Sequence, residues 1–171
     1  MGIFSFVGKS KGSRIYSIEK KDVALNKEIF SLMLRVEDNL KELKDAVRDK
    51  NVIIKDAKLA ELENSFLLLK SKVDSLLSDV KMIMDIEVQN KDYISIHDDA
   101  YLEDKYNRLN QMGDVLDELV DLMREKPASD ALKGDLLAYI FGRVNILVDA
   151  VNNIINDDRY LEGLYSKIEY L

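Results

Sequence analysis

Cysteine is absent from this chain of 171 residues. Its absence excludes disulfides, thiolate zinc sites, iron–sulfur clusters and cysteine nucleophiles together. Tryptophan is missing too, and histidine and proline occur once each, as His97 and Pro127. One histidine cannot build a multi-histidine metal site, and no serine sits in a nucleophile elbow beside it. Neither a phosphate-binding glycine loop nor a dinucleotide turn is present. Long apolar runs are lacking as well. The richest region, residues 136–155, contains Arg143, Asn145, Asp149, Asn152 and Asn153, too polar for a span of about 20 residues. A secretory signal needs an apolar run of about 7 to 15 residues behind positive charge. Here a shorter run, Ile3, Phe4, Phe6 and Val7, stands in front of Lys9, Lys11 and Arg14. The expected location is the cytoplasm. Gly2 resembles a myristoylation start, but Phe6 stands where that motif requires Ser or Thr.

The charge that is present is uneven. The whole chain carries −7, yet residues 1–56 hold 12 Lys/Arg against 9 Asp/Glu and residues 91–171 hold 9 against 17. Nucleic acid is therefore not an expected partner, since the acidic half repels a polyanion and the basic residues of the first half are interleaved with acids.

Glycine is confined to Gly2, Gly8 and Gly12 before Gly113, so residues 13–112 contain no helix breaker. Apolar residues make up 47% of the chain, enough for one domain with a packed interior. Periodicity divides it into helices. Leu25, Ile29, Leu32, Val36, Leu40, Leu43 and Val47 predict a first helix over about 15–48 with a repeat near 11 residues. Leu59, Leu62, Phe66, Leu69, Val73, Leu76, Val80 and Ile83 predict a second over about 56–89, with alternating spacings of three and four. Leu102, Tyr106, Leu109, Met112, Leu116, Leu119 and Met123 mark a third. Ser129 is the expected N-cap of a fourth, whose stripe is Leu137, Ile140, Val144, Leu147, Val151 and Ile154. Its narrow polar face predicts that it is the most buried. Leu161, Leu164, Tyr165 and Ile168 predict a short last helix. The expected fold is all-α: an up-and-down bundle of four long helices plus a short C-terminal one, with coiled-coil-like heptad seams, spanning 15–171 behind a flexible leader at 1–14. The Tyr93–Ile96 cluster reads as a linker.

Several groups of residues invite a chemical reading. His97, Asp98 and Asp99 suggest a metal or base site, although adjacent residues seldom converge on one ion and aspartates before a helix are ordinary caps. Asp114, Asp117, Glu118 and Asp121 fall on one side of the third helix, where magnesium-dependent phosphohydrolysis is the chemical alternative. Their only facing stripe, Asn145, Asp149, Asn152 and Asn156, has a single acid, so no enzyme, cofactor or metal is expected. Leu67, Leu68, Met82 and Met84 widen the second helix's stripe beyond a seam, and Tyr160, Tyr165 and Tyr170 stand five apart near the end. These seven are the candidate contacts with a protein partner or a second copy. Ile3, Phe4, Phe6, Val7, Lys9, Lys11 and Arg14 are the candidate membrane contacts.

The opening Met1, Gly2, Ile3, Phe4, Ser5 resembles the start of PspA-type proteins, and the basic first helix, long hairpin and acidic second half are similar in layout to ESCRT-III proteins. That resemblance implies membrane remodelling as the alternative function. The leading expectation is a non-enzymatic helical scaffold or adaptor acting through protein association, possible self-association included.

Overall fold

With no proline or glycine from residue 13 to residue 112, the chain forms two very long helices, α1 (Ile3–Arg48) and α2 (Val52–Gln89), joined by a tight turn. The computed structural model describes residues 3–89 and 99–169, with side chains described for 14–86 and 100–157. α3 (Asp99–Arg124) follows, then a single turn, α4 (Ser129–Ala131), a five-residue π-turn over Leu132–Leu136, and α5 (Leu137–Glu169). The chain is all-α, with no strand among the described residues. The Tyr93–Ile96 linker and the His97 and Asp98 positions lie outside the described residues.

Four boundaries correct the sequence expectation. α1 begins at Ile3, well before residue 15, so the segment expected as a flexible leader has helical backbone. Gly8 and Gly12 each cost about 1 kcal/mol relative to alanine without forbidding a helix. α2 starts at Val52 because Asn51 caps it: the Ile54 N–H donates to Asn51 Oδ1 at 3.1 Å. Ser129 does not cap α4. The cap position is Ala128, without a side-chain hydrogen bond, and no hydrogen bond among the described residues reaches Ser129 Oγ. The break expected between residues 155 and 161 lies instead at Gly134, whose ψ of −142° is not helical. Residues 156–160 contain no breaker, and α5 runs through them.

Lysine ends the helices where glycine is usual. Lys50 has φ 54°, and the Asn51 N–H returns to the Ala46 carbonyl at 2.9 Å, a Schellman closure. Lys126 has φ 46° at the end of α3, immediately before Pro127.

α2 packs against α1 and α3, and α5 packs against the same two helices at fewer points. α5 is therefore not the most buried helix, and Phe141, Ile146, Val148 and Ile155 are only partly covered. Neighbours run antiparallel. Lys21 pairs with Asp79, Glu28 with Lys72 and Glu42 with Lys58, so partner numbers fall along α2 as they rise along α1. Glu63 with Arg124 and Lys70 with Asp117 give the same sense for α2 and α3. Arg108 with Asp157 and Glu118 with Arg143 give it for α3 and α5.

The buried row of α2 is the one its apolar spacing predicts, from Leu59 to Ile83. The rows of α1 and α3 pass through polar residues. In α1 the buried positions include Ile15, Glu19, Asp22, Asn26, Ile29, Met33, Val36, Leu40, Leu43 and Val47, and in α3 Lys105 is buried between Leu102 and Leu109. Leu25 and Tyr106, expected in those rows, are only partly buried at their edges. The consequence is a divided interior: a main apolar core, a smaller one of Ile15, Ile83, Ile86 and Leu102, and a polar layer between them.

Candidate functional site

Two features depart from an ordinary helical protein. The first is the polar layer. Glu19, Asp22 and Asn26 of α1, Asp79 of α2 and Lys105 of α3 are all buried, Asp22 to 2% exposure. Among the described residues no N–H group donates to either Asp22 oxygen, and the group it faces is the Asp79 carboxyl. Two carboxylates in contact cannot both stay ionised away from water, and a proton held between them supplies the missing donor. Burial first, then the contact with Asp79, push the Asp22 carboxyl up to about 9, against the opposing pull of Lys105 and Lys21. Lys21 reaches Asp79 at 3.5 Å from the rim of the layer. Nearby, burial raises Asp157 of α5, while Arg108 and Lys105 draw it down.

The second feature is the outer face of α2, opposite its buried row. At 100° per residue, Ile53, Leu67, Leu68 and Met82 lie on this face, interspersed with Ala57, Ala60, Asn64, Ser71, Ser75 and Ser78. All ten are exposed and none is charged. Ile53 is 83% exposed and Leu68 50%. The other exposed helix faces carry charge among their residues, and on α1 the exposed Phe30 and Leu34 stand among it. α1 shows Lys20, Lys27, Arg35, Asp38 and Lys41, and α3 shows Glu103, Asp104, Asp114, Asp117 and Asp121. Between Ile53 and Met82 the charge on α2 lies on its two flanks, where Lys72 pairs with Glu28 at 2.6 Å and Lys70 with Asp117 at 3.1 Å. Gly113 makes room for the latter: a Cβ there would stand 3.0 Å from Lys70 Nζ. Two shallow grooves adjoin the helices, one of about 430 Å³ between α1 and α2 with Leu68 on its rim, the other of about 220 Å³ between α3 and α5.

The structure sorts the residues singled out by sequence. Leu67, Leu68 and Met82 come together on the outer face of α2. Met84 does not join them, being partly buried against both apolar cores. Arg14 lies beside this face, its Nη2 3.8 Å from Met82 Sδ. Ile3, Phe4, Phe6, Val7, Lys9 and Lys11 belong to α1 and Tyr160 and Tyr165 to α5, their side chains outside the described residues. Tyr170 lies outside the described residues altogether, and of Asp99 only the backbone, which starts α3, is described.

The acidic face of α3 is pulled two ways. Asp117 turns to Lys70 on α2, whereas Glu118 accepts from the Tyr139 hydroxyl and from Arg143 Nη2, the latter at 2.8 Å. Those donors hold the Glu118 carboxyl below the usual range. Asp114 and Asp121 point to solvent. Among the described residues no three His, Asp or Glu side chains converge as metal ligands would. Gly142 of α5 is exposed with open space around it, so among the described residues no other helix approaches closely there.

Sequence reasoning missed Ile53, because it placed the start of α2 too late, and it missed the polar layer, because a search for apolar periodicity passes over buried acids. No family model, no curated protein and no solved structure matches this chain. Among the described residues no helix is long and apolar enough to cross a membrane.

Proposed function

We propose that this chain is a non-enzymatic scaffold or adaptor, its four long helices forming an up-and-down bundle with coiled-coil-like heptad seams, and that it works by docking a protein partner on the outer face of α2. The observation that carries this reading is the uncharged, exposed row from Ile53 to Met82 in a chain of which 33% is charged. A solvated helix face is normally dotted with Lys and Glu. Depletion of charge around large apolar anchors is instead the composition of an interface core, and Ala and Ser between the anchors let a second helix approach closely.

The test is a photo-crosslinking residue placed in the full chain at Leu68 and, separately, at Asp114 on the outer face of α3. In cells, position 68 is expected to give a discrete protein adduct and position 114 none. No adduct at 68, or equal adducts at both, would sink the reading.

A second reading is peripheral membrane association through Ile3, Phe4, Phe6 and Val7 with Lys9, Lys11 and Arg14. The helical backbone from Ile3 favours it, because a helix satisfies its own amide groups, as residence in the lipid interface requires. In flotation with neutral and anionic vesicles, the full chain is expected to rise with anionic lipid only and to be released by salt, whereas a Phe4→Asp/Phe6→Asp variant stays behind. Equal behaviour of the two removes this reading.

A further inference from the structure

We infer that the partner on the outer face of α2 is a second copy of this chain, laid antiparallel across it about a two-fold axis passing between residues 67 and 68. The inference rests on the reading of α2 as a docking face and adds the identity and geometry of what docks.

The face is self-complementary. About the point midway between Leu67 and Leu68, Ile53 falls opposite Met82 of the second copy, Ala57 opposite Ser78, Ala60 opposite Ser75, and Asn64 opposite Ser71. Large meets large at the centre and at both ends, small meets small between them, and the one amide meets a hydroxyl. An isologous contact requires this property, since each residue must suit its image across the axis.

The flanking charges obey the same symmetry. In an antiparallel pair each flank faces its own copy. On the α1 side Glu61 then falls near Lys72 of the second copy, and on the α3 side Glu63 falls near Lys70 and Asp56 near Lys81. Every one of these pairings is of opposite sign. Asp74, also on the α3 side, falls at the same offset near Glu63 of the second copy, the one like-signed approach, and is joined to its own Lys70 at 3.8 Å. A parallel pairing would set the α1 side against the α3 side of the second copy, Glu61 beside Glu63 and Lys72 beside Lys70, like against like, which opposes association.

Area sets the strength. The row from residue 53 to 82 is about 45 Å long at 1.5 Å per residue. With a contact strip about 10 Å wide it offers about 450 Å² per copy, roughly half the 800 Å² of a standard interface. Association is therefore expected to be weak, with a dissociation constant on the order of 10 to 100 μM.

The test uses the full chain. In sedimentation equilibrium the average mass is expected to rise from 19.6 kDa toward twice that value between about 5 μM and 1 mM, a span bracketing the expected constant. Leu68→Glu, at an exposed position and checked for unchanged helicity, is expected to stay at the single-chain mass. Because the chain has no cysteine, orientation can be read separately by oxidative crosslinking. An equimolar mixture of Ala60→Cys and Ser75→Cys chains is expected to form a disulfide dimer that neither variant forms alone, since in the antiparallel pair residue 60 stands about 22 Å from its own image, beyond disulfide reach. A mass that stays at one chain up to 1 mM, or self-crosslinking of Ala60→Cys as fast as the mixture, overturns the inference. A photo-adduct of Leu68 with a different protein, with no self-association, overturns the second copy and leaves the docking face standing. Loss of that adduct as well brings down both.

Discussion

Phe66→Ala is expected to destabilise the fold by about 3 to 5 kcal/mol, the range for deleting a fully buried aromatic ring. Phe66 is among the largest side chains with no exposure at all, and it sits at the middle of α2, on the helix that packs against both α1 and α3. The substitution removes apolar area from water-free contact and leaves a cavity that three long helices, each held at many other points, cannot easily close. In urea titration the midpoint should fall with little change in slope. In thermal unfolding the transition should drop by about 10 °C, given the 2 to 4 °C per kcal/mol usual at this size. Leu67→Ala, one position along and exposed, should change stability by less than about 0.5 kcal/mol. That contrast separates the buried from the outer face of the same helix. Equal losses at 66 and 67 would mean that α2 is not oriented as described.

That contrast also explains how far the fold is legible from sequence. In α2 every residue of the apolar row from Leu59 to Ile83 is buried, with Ser65 and Asp79 buried beside it, so apolar spacing and the buried row coincide there. In α1 and α3 they part company. The buried row continues at spacings of three and four through Asp22, Asn26 and Lys105, while Leu25 and Tyr106, one position away, supply apolar character at the edge. Counting apolar residues alone misplaces the row by one at Leu25 in α1 and at Tyr106 in α3, while the other expected positions of both rows are buried. Taking Leu25 for Asn26, and Leu32 where its buried neighbour Met33 keeps the alternation, produces the apparent eleven-residue repeat of α1. Glycine fails as a marker of these turns for a related reason. Lys50 and Lys126 take the positive-φ positions that glycine marks elsewhere, whereas Gly134, a real break, sits inside an apolar pattern that reads as continuous helix. Leu67, Leu68 and Met82 could be found as surplus apolar positions. Their grouping with Ile53 and the small residues between them required the register of α2 and its first residue. Met84 belongs to the same surplus and differs only in which way the helix turns it.

Asp22→Asn is expected to stabilise the protein at alkaline pH and to flatten its pH dependence. The Asp22 carboxyl sits at about 9 in the fold against 3.8 ordinarily, so between those values the folded chain holds a proton that the unfolded chain has released. Raising pH through this window draws the equilibrium toward the unfolded state, by up to about 1.4 kcal/mol per pH unit for one such proton. The stabilisation is complete below about pH 4 and is lost as pH rises toward 9. Asparagine keeps the size and the donor of the protonated acid but cannot ionise, so it preserves the contact with Asp79 at every pH. Urea unfolding across pH 5 to 8.5 should show the parent losing a few kcal/mol that the variant retains, with the two profiles converging toward the acid end. Parallel profiles would mean that no proton is held between the two carboxyls. In that event the polar layer would have to be stabilised through Lys105 and Lys21 alone, and Lys105→Met would then become the more damaging substitution, because it would leave buried carboxylates without a counter-charge.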